Sequence, residues 1–201
     1  LRGVHRLTTR ASPPLRRGLP TLHIAGMERS PSGRQAARSD TLVLKVAASL
    51  DVFGRDEWAA LPGASRGGEH PYNPFISFDF LDILEKSGCV TRRTGWQPQH
   101  LRLETADGTF AGAVPCYLKS HSQGEYVFDH GWADAFERAG GRYYPKLQVS
   151  VPFTPATGPR LLAADALEPR AARQALAAGR VRLCSELGVS SAQVTFAEDE
   201  D

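Results

Sequence analysis

The spacing of apolar and polar positions separates a patterned region, from about residue 41 onward, from an unpatterned leader. TLVLKVAA (41–48) is rich in branched residues and partly alternates, which predicts a first strand. A short helix is expected over Asp56 to Leu61, stopped by Pro62 and Gly63. Residues 62–74 hold three prolines and three glycines, the composition of a loop. Ser77 is placed to cap a helix with Asp79 in its first turn, Phe80, Leu81 and Leu84 on one face, and Gly88 at its end. HLRLET (100–105) and TFAGAVPCYLK (109–119) flank Ala106-Asp107-Gly108 and read as a hairpin. Pro115 assigns its second strand to an edge or a bulge.

WADAFERA (132–139) suits two helical turns closed by Gly140 and Gly141, and KLQVSVPF (146–153) alternates as a strand. The longest helix opens at Pro169 and closes at Gly188. Its stripe is Ala172, Leu176, Gly179, Leu183 and Leu187. Gly179 inside a helix costs about 1 kcal/mol relative to alanine, unless it serves close packing. VSSAQVTF (189–196) is a last strand, followed by a solvated acidic AEDED. The order predicts a mixed α/β fold with some antiparallel pairing. There is no internal repeat.

Composition narrows the class. The chain has 201 residues, 41% of them hydrophobic, too many for wholesale disorder. No run approaches 18 apolar residues, which excludes a membrane-spanning helix. Cys89, Cys116 and Cys184 form no C-x-x-C pair, so a zinc ribbon is excluded and a reducing compartment is the simplest reading. Cys116, on an apolar strand, reads as buried and inert.

Eight arginines against Glu28 and Asp40 give residues 1–40 a net charge of +6, so the whole-chain +2 leaves the rest at −4. The mildly acidic remainder gives nucleic acid no support as a partner. The leader itself, broken by Pro13, Pro14 and Pro20, reads as disordered. An Arg-rich, acid-poor leader has the composition of an organellar transit peptide, and a basic arm for an acidic partner is a second reading. The favoured one is that translation starts at Met27.

Candidate chemistry concentrates in residues 118–147, which hold Lys119, His121, Glu125, Asp129, His130, Tyr143, Tyr144 and Lys146 among aromatics. Asp129 and His130 would face opposite ways on an extended segment, and no H-x-x-x-H pair exists, so ordinary loop residues are a simpler reading than a metal site. No G-x-S-x-G elbow and no glycine-rich phosphate loop occurs. Either Asp129 or His130 is chemically suited to be a general base.

The runs TGWQPQHL (94–101), GAVPCYLKSHSQGEYVFDHGWADAFERAGGRYYPKL (112–147), VPFTPATGPRLL (151–162) and GVSSAQVTF (188–196) together resemble the bacterial FemAB-like family, labelled for peptidoglycan biosynthesis or recognition. The resemblance runs from about Phe75 to Phe196. It implies a GNAT-like mixed sheet flanked by helices, of which residues 41–201 would be the N-terminal part. It also implies transfer of an acyl or aminoacyl group to a peptide or small-molecule amine, in the bacterial cytoplasm and without a metal. Relatives named Fem take aminoacyl-tRNA as donor and many GNAT proteins take acyl-CoA, and the mild acidity of residues 41–201 inclines the choice toward acyl-CoA. On that reading Asp129 or His130 is the base, and Lys119, His121, Tyr126, Tyr144 and Lys146 shape the acceptor pocket. A non-catalytic module recognising cell-wall peptide or sugar is the alternative. Two departures stand out. The nearest match to the [RQ]-x-x-G-x-[GA] loop, Arg138 to Tyr143, fails at its last position, and Gln193 stands where the family leads one to expect His.

Overall fold

The computed structural model describes residues 21–24, 41–68, 70–127 and 129–199. The fold is mixed α/β, as the element order predicts. Nine strands form two sheets among the described residues: β1 (Thr21–Ile24), β2 (Leu42–Ala47), β3 (Trp96–Pro98), β4 (His100–Glu104), β5 (Phe110–Val114), β6 (Tyr117–Lys119), β7 (Lys146–Val149), β8 (Leu162–Ala163) and β9 (Ala192–Val194). Sheet A runs β1-β2-β4-β5-β8 and sheet B runs β3-β6-β7-β9. Every pairing is antiparallel except β7 with β9. The helices are α1 (Arg55–Ala59), α2 (Phe78–Lys86), α3 (His130–Arg138) and α4 (Pro169–Leu187). The order of strands, helices and hairpin is that expected from residue 41 onward, with the additions below.

The expected hairpin is longer than its sequence signals and belongs to both sheets. Trp96 pairs with Lys119, Pro98 with Tyr117, Leu101 with Val114 and Leu103 with Gly112, one register throughout, until a bulge before Glu104–Phe110. Pro115 sits neither at an edge nor at a bulge. It marks the bend where the ribbon passes from sheet A to sheet B. The missing proline N–H is harmless there. Backbone pairing crosses the bend through Gln99 N–H to Cys116 O at 2.8 Å. His100, fully buried opposite Pro115, secures it: Nδ1 accepts the Cys116 N–H at 3.2 Å, so Nε2 carries the proton given to Glu85 Oε1 at 2.7 Å.

Cap chemistry places the helices as expected. Ser77 caps α2 by accepting the Phe80 N–H, Pro169 opens α4, and Gly188 closes it in the left-handed conformation. The α4 stripe packs with Leu44, Leu101, Leu103, Leu147 and Val149 into the main core. A second core, around Trp58, Phe53, Ile76 and Leu81, lies with α1 and α2. Cys116 is fully buried, and burial pushes its thiol up to about 12, consistent with an inert core residue.

Three strands escaped the pattern: β3, β8 and, inside the leader, β1. Of the leader read as disordered, Thr21–Ile24 instead pair with β2, and residues 1–20 and 25–40 lie outside the described residues. No helix among the described residues is long and apolar enough to cross a membrane.

Candidate functional site

The register of sheet B divides its residues between two faces. Leu118, Leu147, Val149, Ala192 and Val194 turn to the main core. The alternate positions, Lys119, Lys146, Gln148 and Gln193, line the opposite face beside Trp96 and Tyr117. A buried face carrying two lysines and two glutamines needs partners for every polar group.

Most are supplied by the segment between β6 and β7. Lys146 Nζ donates to Asp129 Oδ2 at 2.6 Å, Glu125 Oε2 at 2.7 Å and Gln193 Oε1 at 2.8 Å, which uses all three of its protons. Asp129 also accepts the hydroxyls of Tyr143 at 2.9 Å and Tyr144 at 3.0 Å. Gln193 Nε2 donates to Tyr143 Oη at 2.9 Å and closes the ring. Lys119 Nζ donates to Gln123 O at 2.9 Å, lies 3.7 Å over the Trp96 ring and stands 4.0 Å from Glu125 Oε1. Gly124 holds this segment down: its φ of 80° and contact with the Phe153 ring leave no room for a Cβ.

The electrostatics follow from burial. Burial pushes Glu125 up, against the opposing pull of Lys146. Burial likewise lowers the Lys119 ammonium to about 8, aided by Lys146 and resisted by Glu125. For Asp129, burial acts upward, but the hydrogen bonds and charge of Lys146 with the two tyrosine hydroxyls outweigh it and hold the carboxyl low. Tyr144 is pushed up by burial and by Asp129. Three buried acceptors, Glu125 Oε1, Gln148 Oε1 and Ser150 Oγ, reach no donor among the described residues.

The family model for FemAB-like proteins, described as peptidoglycan biosynthesis/recognition, matches residues 49–201, the span that contains this whole cluster. The chain belongs to the FemAB-like family. No curated protein and no solved structure matches it.

Of the residues expected to form a site in this FemAB-like chain, Lys119, Asp129, Tyr144 and Lys146 converge. His130 is exposed at the start of α3 and, among the described residues, joins through Ser122, whose hydroxyl lies 3.3 Å from its Nδ1 and bonds Tyr144. His121 is half-buried against Gly95 and accepts the Gln123 N–H. Tyr126 is exposed with φ 57°, a left-handed conformation that costs a bulky residue about 1–2 kcal/mol. Gln193 takes the place where His was expected and ties Lys146 to Tyr143. The partner roles of Glu125, Tyr143, Gln148 and Trp96 were missed. The signal for Gln148 was present, since Lys146-x-Gln148-x-Ser150 is a polar alternation inside an otherwise apolar strand. No group of three or more His, Cys, Asp or Glu among the described residues could hold a metal ion. The FemAB-like family connects the chain to peptidoglycan biosynthesis or recognition, and so to a peptide partner.

Proposed function

We propose that this chain carries the acceptor site of an N-acyltransferase that moves an acyl or aminoacyl group onto a peptide or small-molecule amine, with acyl-CoA as donor and the bacterial cytoplasm as setting. One observation carries the reading: Glu125 is a buried carboxyl, raised by burial, with one oxygen committed to Lys146 and the other, 4.0 Å from the Lys119 ammonium, accepting no hydrogen bond among the described residues. An acceptor ammonium is the donor such an oxygen lacks, and a carboxylate of raised pKa is a competent base for it. Asp129, engaged by three donors and held low, suits positioning of Tyr143, Tyr144 and Lys146 better than proton abstraction. The base role therefore moves to Glu125, with His130 at the rim. Tyr126, Tyr144 and His121 shape the approach.

In the reaction, Glu125 Oε1 takes a proton from the ammonium, and the freed amine attacks the donor carbonyl. The new C–N bond forms, the tetrahedral intermediate collapses with cleavage of C–S, the thiolate leaves, and the nitrogen gives up its second proton to the Lys119 amine once that group has protonated the thiolate. Lys119, near 8, is matched to return a proton to a thiolate whose own value is about 8.5. The test is turnover of acetyl-CoA against a panel of lysyl peptides and small amines, after calorimetric titration of the donor. Glu125→Gln is expected to lower kcat/KM by about 10²–10⁴ and, because it removes the charge opposite two buried lysines, to lose stability as well, so turnover is compared at a temperature where circular dichroism shows both proteins folded. Wild-type turnover in that variant would overturn the assignment.

A recognition module on the same fold is the second reading, favoured by Trp132 and Phe136, both exposed on α3. Exposed aromatic faces serve sugar and peptide binding. Binding of peptidoglycan fragments without donor, lost in Trp132→Ala while Glu125→Gln binds normally, would favour it.

A further inference from the structure

The turn that carries Glu125 holds a second reactive pair. Ser122 begins it: the Glu125 N–H donates to Ser122 O at 3.2 Å, and Gly124, with φ 80°, supplies the sharp third position. The turn is pinned from sheet B, because Gln123 O accepts Lys119 Nζ at 2.9 Å and Trp96 Nε1 at 3.2 Å. Ser122 is therefore a half-buried hydroxyl on held backbone, at the rim of the polar cluster rather than inside it.

Its Oγ has two partners. It hydrogen-bonds Tyr144, and it lies 3.3 Å from Nδ1 and 3.4 Å from Nε2 of His130. Tyr144 gives its own proton to Asp129 at 3.0 Å and can only accept from Ser122, so the serine proton goes either to Tyr144 or to His130. His130 is exposed, and rotation of its side chain brings either ring nitrogen onto Oγ. A hydroxyl within reach of an imidazole is the arrangement of an activated nucleophile. His130 also opens α3, whose first-turn N–H groups receive no side-chain cap from Asp129. Uncapped N–H groups at the base's end of the helix suit an oxyanion.

We propose that Ser122 is an acyl-accepting nucleophile with His130 as its base, and that the chain hydrolyses activated acyl esters and thioesters when no amine is bound. Ser122 Oγ attacks the donor carbonyl while His130 takes its proton. The new C–O bond forms, the bond to the leaving thiolate or alkoxide breaks, and the imidazolium returns the proton to that group. Water then attacks the acyl-serine with His130 as base. The C–Oγ bond breaks, Oγ takes the proton back, and the carboxylic acid leaves. Neither half uses Glu125, so this activity stands apart from amine transfer.

The experiment mixes the full chain with p-nitrophenyl acetate and, separately, with acetyl-CoA, in the absence of amine. Samples are quenched in acid and measured by peptide mass spectrometry, with nitrophenolate release followed in parallel. A burst of nitrophenolate close to the amount of enzyme is expected, then slower steady release, with one acetyl group on Ser122. Ser122→Ala is expected to lose burst and adduct, and Ser122→Cys to carry the acetyl group on its thiolate. His130→Ala is expected to slow acylation by about 10²–10⁴. Circular dichroism confirms that each variant is folded. Without amine present, failure here leaves the amine-transfer reading to its own test. A burst that survives Ser122→Ala, acetylation at full rate in His130→Ala, or no adduct on Ser122 with either donor would overturn the proposal.

Discussion

Lys146 and Gln193, 47 residues apart, meet at 2.8 Å, and their contact joins the parallel strands β7 and β9 on the polar face of sheet B. Gln193 reaches the cluster from beyond α4, as does Thr195, whose hydroxyl accepts the Gln148 Nε2–H at 3.1 Å. Gln193→Ala removes an acceptor from Lys146 and a donor from Tyr143, leaving a buried ammonium with two partners instead of three. A loss of about 1–3 kcal/mol in urea unfolding is expected. Gln193→His, which keeps a donor and an acceptor on one ring, is expected to lose less than the alanine variant. Equal losses would show that the hydrogen bonds are not what matters at this position.

Lys119 makes stability depend on pH in a defined direction. Its folded-state value, lowered to about 8, lies below that of an unfolded lysine, so the unfolded chain binds more protons between about pH 8 and pH 10.4. Stability from this group is lowest below pH 8 and rises as the pH climbs through that window. Urea unfolding of wild type and Lys119→Met at pH 7 to 10 measures it. The wild type is expected to gain on the order of 1–3 kcal/mol relative to the variant across the window. A flat difference would place Lys119 at its ordinary value.

His100 is the hinge pin of the bent ribbon. His100→Phe strands the Cys116 N–H and takes the donor from Glu85 Oε1, leaving Glu85 the Leu50 N–H on its other oxygen, and a loss of about 2–5 kcal/mol is expected. His100→Asn can still accept from Cys116 and is expected to cost less. Thermal unfolding of the pair separates the backbone bond from the loss of ring packing against Tyr117 and Phe53.

Gly179 serves close packing rather than flexibility. A Cβ there would overlap Leu44 Cδ2 and lie 3.2 Å from Leu44 Cδ1 and Cγ, on a side chain that is itself fully buried. Gly179→Ala gains about 1 kcal/mol of helix propensity but incurs overpacking of about 1–3 kcal/mol. Net destabilisation is expected by chemical unfolding. A more stable variant would mean that Leu44 has room to move.

Helix ends were the most legible part of the fold, because a cap is local. Ser77, Pro169 and Gly188 each set a boundary through their own backbone chemistry. The bend at Pro115 was not legible, because one residue without an N–H suits an edge, a bulge or a change of sheet equally well. Only the partner at His100 decides among them. β3 and β8 are too short for alternation to register. In the site, Lys119, Asp129, Tyr144 and Lys146 could be found because chemistry-bearing residues crowd residues 118–147. Their order could not: which carboxylate is saturated and which keeps an oxygen without a hydrogen bond depends on Gln193 and the two tyrosines. Composition carries no record of that pairing.

The ribbon shared by the two sheets has a consequence for exchange of backbone protons with solvent. An amide at the end of a strand usually frays with its own sheet. The Gln99 and Cys116 amides sit where one register runs unbroken from Trp96–Lys119 to Leu103–Gly112, so freeing either requires both sheets to open together. Those two protons are expected to exchange with deuterium as slowly as the centre of β4, and to report global unfolding from the middle of a bend.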